Sequence, residues 1–304
     1  MNMREWLARG DQVPDVSLVG APIAKASLSP SQAWSTPPAF REALSRFPTW
    51  HAAAGVDVEE LAVRDRGDVQ GDRDDVDASA AHLRIRAAVA AAAADSPTIV
   101  VIGGDNSLTR PAFLGIGEAR ADRQWGLLTL DAHHDCRPPT NGSANGTPVR
   151  ELIDAGLAGN RVAQVGIHPL GNARAHAQWA ADHGIHIHGL DEVRARGIEA
   201  VLTAALAELR GAGADAVYVD LDVDVVERSA APACPASLPG GLSPADLLAA
   251  ALLLGGEPAV GAFDLCEVDA MADVAGITVR LMAAVFTALC AGLVSHAREL
   301  RAPA

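Results

Sequence analysis

The chain has 304 residues, 24 Lys and Arg against 38 Asp and Glu, and a formal charge of -14, a balance that argues against a nucleic-acid partner, which calls for a basic face. Apolar residues make up 49%, enough for a large core, yet no segment offers the roughly 18 uninterrupted apolar residues of a membrane span, and residues 1–6 lack the apolar stretch of a leader. The four cysteines, at 136, 234, 266 and 290, have no Cys-x-x-Cys spacing, so a reduced, cytoplasmic setting is expected rather than a disulfide framework or structural zinc.

Apolar, β-branched runs at 16–19, 56–63, 98–102, 125–130, 161–167, 185–188, 216–221 and 260–265 give eight candidate strands. Between them, 38–47, 76–94, 172–183, 198–210, 243–254 and 277–300 have helical periodicity, and Ser243-Pro244 looks like an N-cap followed by proline at the first helical position. Strand alternating with helix predicts an α/β fold with a mostly parallel sheet covered on both faces. The acidic run 68–77 reads as a solvated loop leading into a helix rather than as a linker, and no repeat of 20 to 50 residues is visible, so residues 1–304 are expected to form a single domain. His183, His186 and His188 alternate along a short run, which we read as a half-exposed strand rather than a metal face.

In a parallel sheet, functional residues gather beyond the carboxyl ends of strands. Those ends carry Gly103-Gly104-Asp105-Asn106-Ser107, then Asp131-Ala132-His133-His134-Asp135, Gly166-Ile167-His168, Asp220-Leu221-Asp222-Val223-Asp224 and Cys266-Glu267-Val268-Asp269. Carboxylates at alternate strand positions point to one face and raise each other's pKa unless a positive charge sits between them. Two such clusters therefore point to a shared metal site.

These motifs, in this order, resemble the ureohydrolase superfamily of arginases, agmatinases, guanidinobutyrases and formimidoylglutamases, over nearly the whole chain. The resemblance implies a three-layer α/β/α fold around an eight-stranded sheet and a centre of two manganese ions. Carried over by position, Asp131 and Asp222 would bridge both ions, Asp135 would bind the first, and His133 and Asp224 the second. Glu267 would pair with the cationic amidinium of the substrate. Asp220 stands where the family has a small residue and is left out of the ligand set. The resemblance also implies a small-molecule amidine substrate and a homo-oligomer, trimeric or hexameric.

Two departures bear on activity. Asn106 stands where most members have histidine, so it is either a weaker carbonyl ligand or a hydrogen-bonding support behind the ligands, and the first site could hold one ion, two, or a different divalent metal. Asn145 replaces a histidine that precedes glycine and cannot shuttle a proton. With Asn106 and Cys-Glu-Val-Asp, the chain looks most like formimidoylglutamases of histidine breakdown, which hydrolyse N-formimidoyl-L-glutamate to glutamate and formamide. Arg137, two residues past Asp135, would suit an anionic substrate and oppose the cationic tail of agmatine. His168 is the candidate replacement proton donor, and Asn145 a substrate contact. Two other readings stand beside this one: an agmatinase or guanidinobutyrase, and a fold member whose catalytic machinery has decayed to metabolite binding.

Overall fold

The computed structural model describes residues 1–301, and in it the apolar runs become parallel strands. Eight of them form one sheet: β1 Val16–Ala21, β2 Val63–Asp68, β3 Thr98–Gly103, β4 Trp125–Leu130, β5 Val162–Ile167, β6 His186–Gly189, β7 Ala216–Asp222 and β8 Val260–Cys266. Their spatial order is β2-β1-β3-β8-β7-β4-β5-β6, and every neighbouring pair is parallel. Alternate side chains leave opposite faces of a strand, and the sheet sorts them that way. Val100 and Ile102 of β3 join one apolar cluster, whereas Ile99 and Val101 join the other.

Helices Ile198–Gly211, Pro244–Gly256 and Ile277–Arg301 cover the first face, and Ser79–Ala93, Thr109–Ala119 and Pro148–Asp154 the second. This is the three-layer α/β/α arrangement expected. Ser243 does cap Pro244–Gly256, through a reciprocal capping box with Asp246. Ile277–Arg301 is long and apolar enough to cross a membrane by length and composition, a feature hidden from a count of uninterrupted residues by Arg280. Most of its apolar window is buried against the protein, with Phe286 packed edge-on to Phe40.

One strand expectation needs correction. The run 56–63 splits: Val56–Asp57 pairs antiparallel with Trp50–His51, Val58–Glu60 is a 3-10 turn, and the sheet strand begins only at Val63. β2 is an edge strand with a single neighbour, so it tolerates the charged sequence Val-Arg-Asp-Arg-Gly-Asp that periodicity rejects. Arg41 holds it from the adjacent helix, with Nε and Nη2 on the two oxygens of Asp65 at 2.7 and 2.8 Å. The acidic run stays a loop, but not wholly a solvated one. Asp72 is buried in it and accepts from the backbone N–H groups of Ala24 and Lys25. Arg73 lies over the Trp34 ring, which ties this loop to the segment before helix Thr36–Ala43.

Candidate metal centre

Strands β3, β8, β7, β4 and β5 are consecutive across the sheet, so the five polar strand ends converge on one edge. Backbone donors lock the carboxylates there. The Ala132 N–H donates to Asp224 Oδ1 (2.9 Å), His133 N–H to Asp131 Oδ1 (2.6 Å) and Asp224 N–H to Asp222 Oδ1 (2.7 Å). Asp135 and Glu267 have φ of 50° and 62°, a left-handed conformation that costs a non-glycine residue about 1 kcal/mol or more and clusters at functional sites. Gly104 lets the β3 loop pass close to the chain after β1, since a Cβ there would sit 2.2 Å from the Ile23 carbonyl oxygen.

Asp131, Asp135, Asp222, Asp224 and Glu267 are all buried, and ionised carboxylates so placed need compensating charge. Burial, and then the charge of Asp224, push Asp131 up to about 7, and burial with Asp131 nearby raises Asp135 well above the carboxylate range. Asp222 is raised in the same way by burial and by Asp224. His133 supplies the compensation available from the chain. Burial alone would lower its pKa, but Asp224, 2.6 Å from Nδ1, and Asp131 outweigh it and push the imidazole up to about 12. Asp224 is correspondingly held low by His133 against the effect of burial. Asp131, His133 and Asp224 bring ligand atoms close enough to share one ion. A small divalent cation would satisfy all of these acids at once, and a donor set of hard oxygens with one imidazole suits manganese.

Asn106 sits inside this cluster but does not present its carbonyl to it. Its amide nitrogen donates to Asp135 Oδ2 (2.6 Å), while Oδ1 accepts from Thr109 Oγ1 (2.6 Å) and Cys266 Sγ (3.3 Å). The expectation of a carbonyl ligand is corrected in this arrangement: to bind an ion, the amide must turn over and give up both bonds to Oδ1. A Mn²⁺ titration is therefore expected to show a tight and a weak step, and Asn106→His should tighten the weak one. Identical isotherms for the two proteins would place Asn106 out of reach of the metal.

Glu267 Oε1 accepts from the Asn106 backbone N–H (2.7 Å) and from Asn145 Nδ2 (3.0 Å). Burial and the neighbouring Asp105 nonetheless push Glu267 up to about 8. Asn145 spends its own oxygen on the Leu28 N–H, at 3.0 Å. It thus ties the 145 loop to Glu267.

A cleft of about 520 Å³ opens over the centre, lined by His133, Asp135, Asp222 and Asp224 on its floor and by Arg137, Asn145 and Arg228 among its walls. Asp131, Asn106 and Glu267 lie behind this lining. Arg137 packs across Gly146, where a Cβ would come 2.8 Å from its Cδ and 3.0 Å from Nε. Among the described residues it has no ion-pair partner. His168 does not serve as expected. Its Nδ1 accepts from the Leu170 N–H (3.1 Å) and its Nε2 faces the Pro239 carbonyl (3.1 Å), so both ring nitrogens are spent on the backbone and neither is placed as a proton donor.

Three features escaped the sequence reading. His176 and Arg228 line the cleft, the first from helix Arg174–Asp182 and the second four residues past Asp224. Arg228 could have been suspected from its closeness to the Asp222-Val223-Asp224 motif; His176 carries no signal of its own within a helical stretch. Beneath the centre, Asp220, Asp264 and Cys266 form a second buried group on β7 and β8. Tyr218 Oη (2.7 Å) and Thr109 Oγ1 (2.9 Å) both bond Asp264 Oδ2, and burial, with the charge of Asp264 beside it, drives Asp220 well above the carboxylate range. β6 is a half-exposed edge strand as expected and carries His186 and His188, the latter between Glu192 and Glu208, but His183 is not on it: it caps the end of helix Arg174–Asp182, where its Nδ1 bonds the Trp179 carbonyl. All four cysteines are free and buried.

Comparison with known proteins agrees with this geometry. The family model described as "Arginase family" matches residues 14–292. The formimidoylglutamase of Halalkalibacterium halodurans is 32% identical over 276 residues, which cover 90% of this chain and 86% of that one. The crystal structure of formimidoylglutamase from Bacillus subtilis superposes with a TM-score of 0.87 at 30% identity, covering 93% of this chain and 88% of that one. That of Trypanosoma cruzi formiminoglutamase with Mn²⁺ has a TM-score of 0.87 over 96% of this chain and 98% of that one, and at 24% identity it speaks for the fold alone.

Proposed function

Because this chain belongs to the arginase family, we propose that it hydrolyses N-formimidoyl-L-glutamate to L-glutamate and formamide at the strand-end acidic centre. The observation that carries this reading is the pairing of the buried carboxylates of Asp131, Asp135, Asp222 and Asp224, with the half-buried His133, and the unpaired Arg137 guanidinium above them. The formimidoylglutamases of Halalkalibacterium halodurans and Bacillus subtilis, alike over most of their length, support it.

The residues fit manganese. Asp131, His133, Asp135, Asp222 and Asp224 would hold it. When bound, the metal supplies Lewis acidity that lowers the pKa of water at the amidine carbon. The chain's own groups do the rest. Glu267, just behind the cleft floor, would pair with the amidinium, since a carboxylate can hold such a planar cation through two parallel hydrogen bonds. Asn145 and the Asn106 backbone fix Glu267 for that contact. Arg137 draws an anionic substrate in and repels the cationic tail of agmatine. We further read the protein as a cytoplasmic enzyme of histidine breakdown and as a homo-oligomer, trimer or hexamer, in keeping with its four unpaired cysteines and its family.

Both reactions expel an amine, the α-amine of glutamate or the alkylamine of agmatine, so the missing histidine at Asn145 bears on each alike and the choice of substrate rests on Arg137. Like-charge juxtaposition of Arg137 with the cationic tail of agmatine costs several kcal/mol, so formimidoylglutamate should turn over at least about 100-fold faster than agmatine. Arg137→Ala should raise KM for the anionic substrate while leaving kcat nearly unchanged, as loss of a contact common to ground and transition states does. Steady-state release of formamide and urea measures both. Faster agmatine hydrolysis by the unaltered protein would overturn the substrate assignment, and an unchanged KM in the variant would remove Arg137 from the binding site.

A further inference from the structure

The cleft holds a second free guanidinium that the reading above does not use. Arg228 follows β7 and points into the same space as Arg137 but belongs to the opposite loop, with Pro235, Ala236, Ser237, Leu238 and Pro239 beside it. All of its side-chain hydrogen bonds to protein leave from one nitrogen. Nη1 donates to the carbonyls of Cys234 (2.9 Å), Pro235 (3.4 Å) and Ser237 (3.3 Å) and to Ser237 Oγ (3.2 Å). That clamp fixes the plane of the group and leaves Nε and Nη2 without a protein partner among the described residues. The same Nε/Nη2 edge is the one by which Arg41 takes both oxygens of Asp65. Arg228 is therefore a carboxylate fork held rigid on one side and open on the other, at the rim of an acidic centre where nothing in the chain pairs with it.

We propose that Arg228 is a specificity residue that binds one of the two carboxylates of a glutamate-derived substrate, with Arg137 binding the other. This rests on the proposed hydrolysis of N-formimidoyl-L-glutamate, and it explains why one cleft presents two unpaired guanidinium groups from facing loops. A substrate with two carboxylates neutralises both; one with a single carboxylate leaves one arginine unmatched. Clamping by the Cys234–Ser237 carbonyls pre-orders the Arg228 fork, so little side-chain entropy remains to be lost on binding.

The test compares three substrates on the metal-loaded protein: N-formimidoyl-L-glutamate, N-formimidoyl-L-glutamine, which lacks the side-chain carboxylate, and 4-formimidamidobutanoate, which lacks the α-carboxylate. Arg228→Gln should raise KM for the dicarboxylate by about 10- to 100-fold, the range for a charged two-point hydrogen bond, with kcat little changed. It should do the same for one single-carboxylate compound and leave the other untouched, whereas Arg137→Gln should show the reverse pattern. Arg228→Lys keeps the charge without the fork and should fall between. A uniform loss across all three substrates would make Arg228 a mere support of the 234–239 loop and overturn the proposal, as would no loss with any of them. If the unaltered protein does not turn over N-formimidoyl-L-glutamate, the substrate reading fails by itself; calorimetry with glutarate, a plain dicarboxylate, then decides the anchor. Binding weakened about 10-fold in Arg228→Gln sustains it, and equal binding sinks it.

Discussion

Asp222→Ala should lose its metal and its turnover together. Asp222 closes β7, is 2% exposed, and lies in the cluster whose acids raise one another's pKa. Perturbing groups merely outside a metal's ligand shell already costs about 10- to 100-fold in affinity, so removing a carboxylate proposed as a ligand should exceed about 100-fold. The alanine also deletes the acceptor of the Asp224 N–H bond, at 2.7 Å, and could loosen the turn. Asp222→Asn separates the two effects, because its amide oxygen can still accept that bond while the charge is gone. Metal analysis by elemental emission and steady-state rates should show both variants depleted and slow. A fully loaded, fully active Asp222→Asn protein would mean that the carboxylate charge at this position is not what holds the ion.

Much of this centre was legible before any coordinates because its signal is local. Each acid follows an apolar run by a fixed offset, and a strand places alternate residues on one face whatever the sheet around it does. The lateral order was also recoverable in outline, since the five strands with polar ends turn out to be neighbours. What stayed hidden depends on partners distant in sequence. β2 was misplaced because its charges are matched by Arg41 and by Asp95, so its composition resembles a loop's. His168 looked like a free imidazole at a strand end; only the Pro239 carbonyl, 71 residues away, shows it to be occupied. Asn106 could be recognised as a substituted ligand, but the orientation of its amide is set by Thr109 and Cys266. Arg228 shows only its place after Asp224 in the sequence, because its meaning lies in the two nitrogens that no described protein group engages.

The same buried acids make a prediction about stability. Asp131 titrates near 7 and Glu267 near 8 in the fold, Asp135 and Asp222 are raised as well, and unfolded carboxyls titrate near 4. Between about pH 4 and pH 8 the folded chain therefore holds protons that the unfolded chain has released, and stability must fall as pH rises. His133, held charged up to about 12, has the same sign above about 6.5. Asp224 has the opposite sign, but it acts below the ordinary carboxylate range and outside this window. Asp131 alone corresponds to something on the order of 4 kcal/mol across the window, and the acids are coupled, so their effects do not add. Metal binding runs the other way, because a cation competes with protons for the same oxygens and binds more tightly as pH rises. Protein stripped with chelator should accordingly melt roughly 5–10 °C lower at pH 8 than at pH 5, and saturating Mn²⁺ should raise the melting temperature more at pH 8. Scanning calorimetry at both pH values, with and without metal, measures this. Glu267→Gln should flatten the slope of the stripped protein, since it removes one of the raised acids. A stripped protein whose melting temperature holds level or climbs from pH 5 to pH 8 would show that these acids are not forced together in the fold, and the electrostatic case for a cation at this centre would go with it.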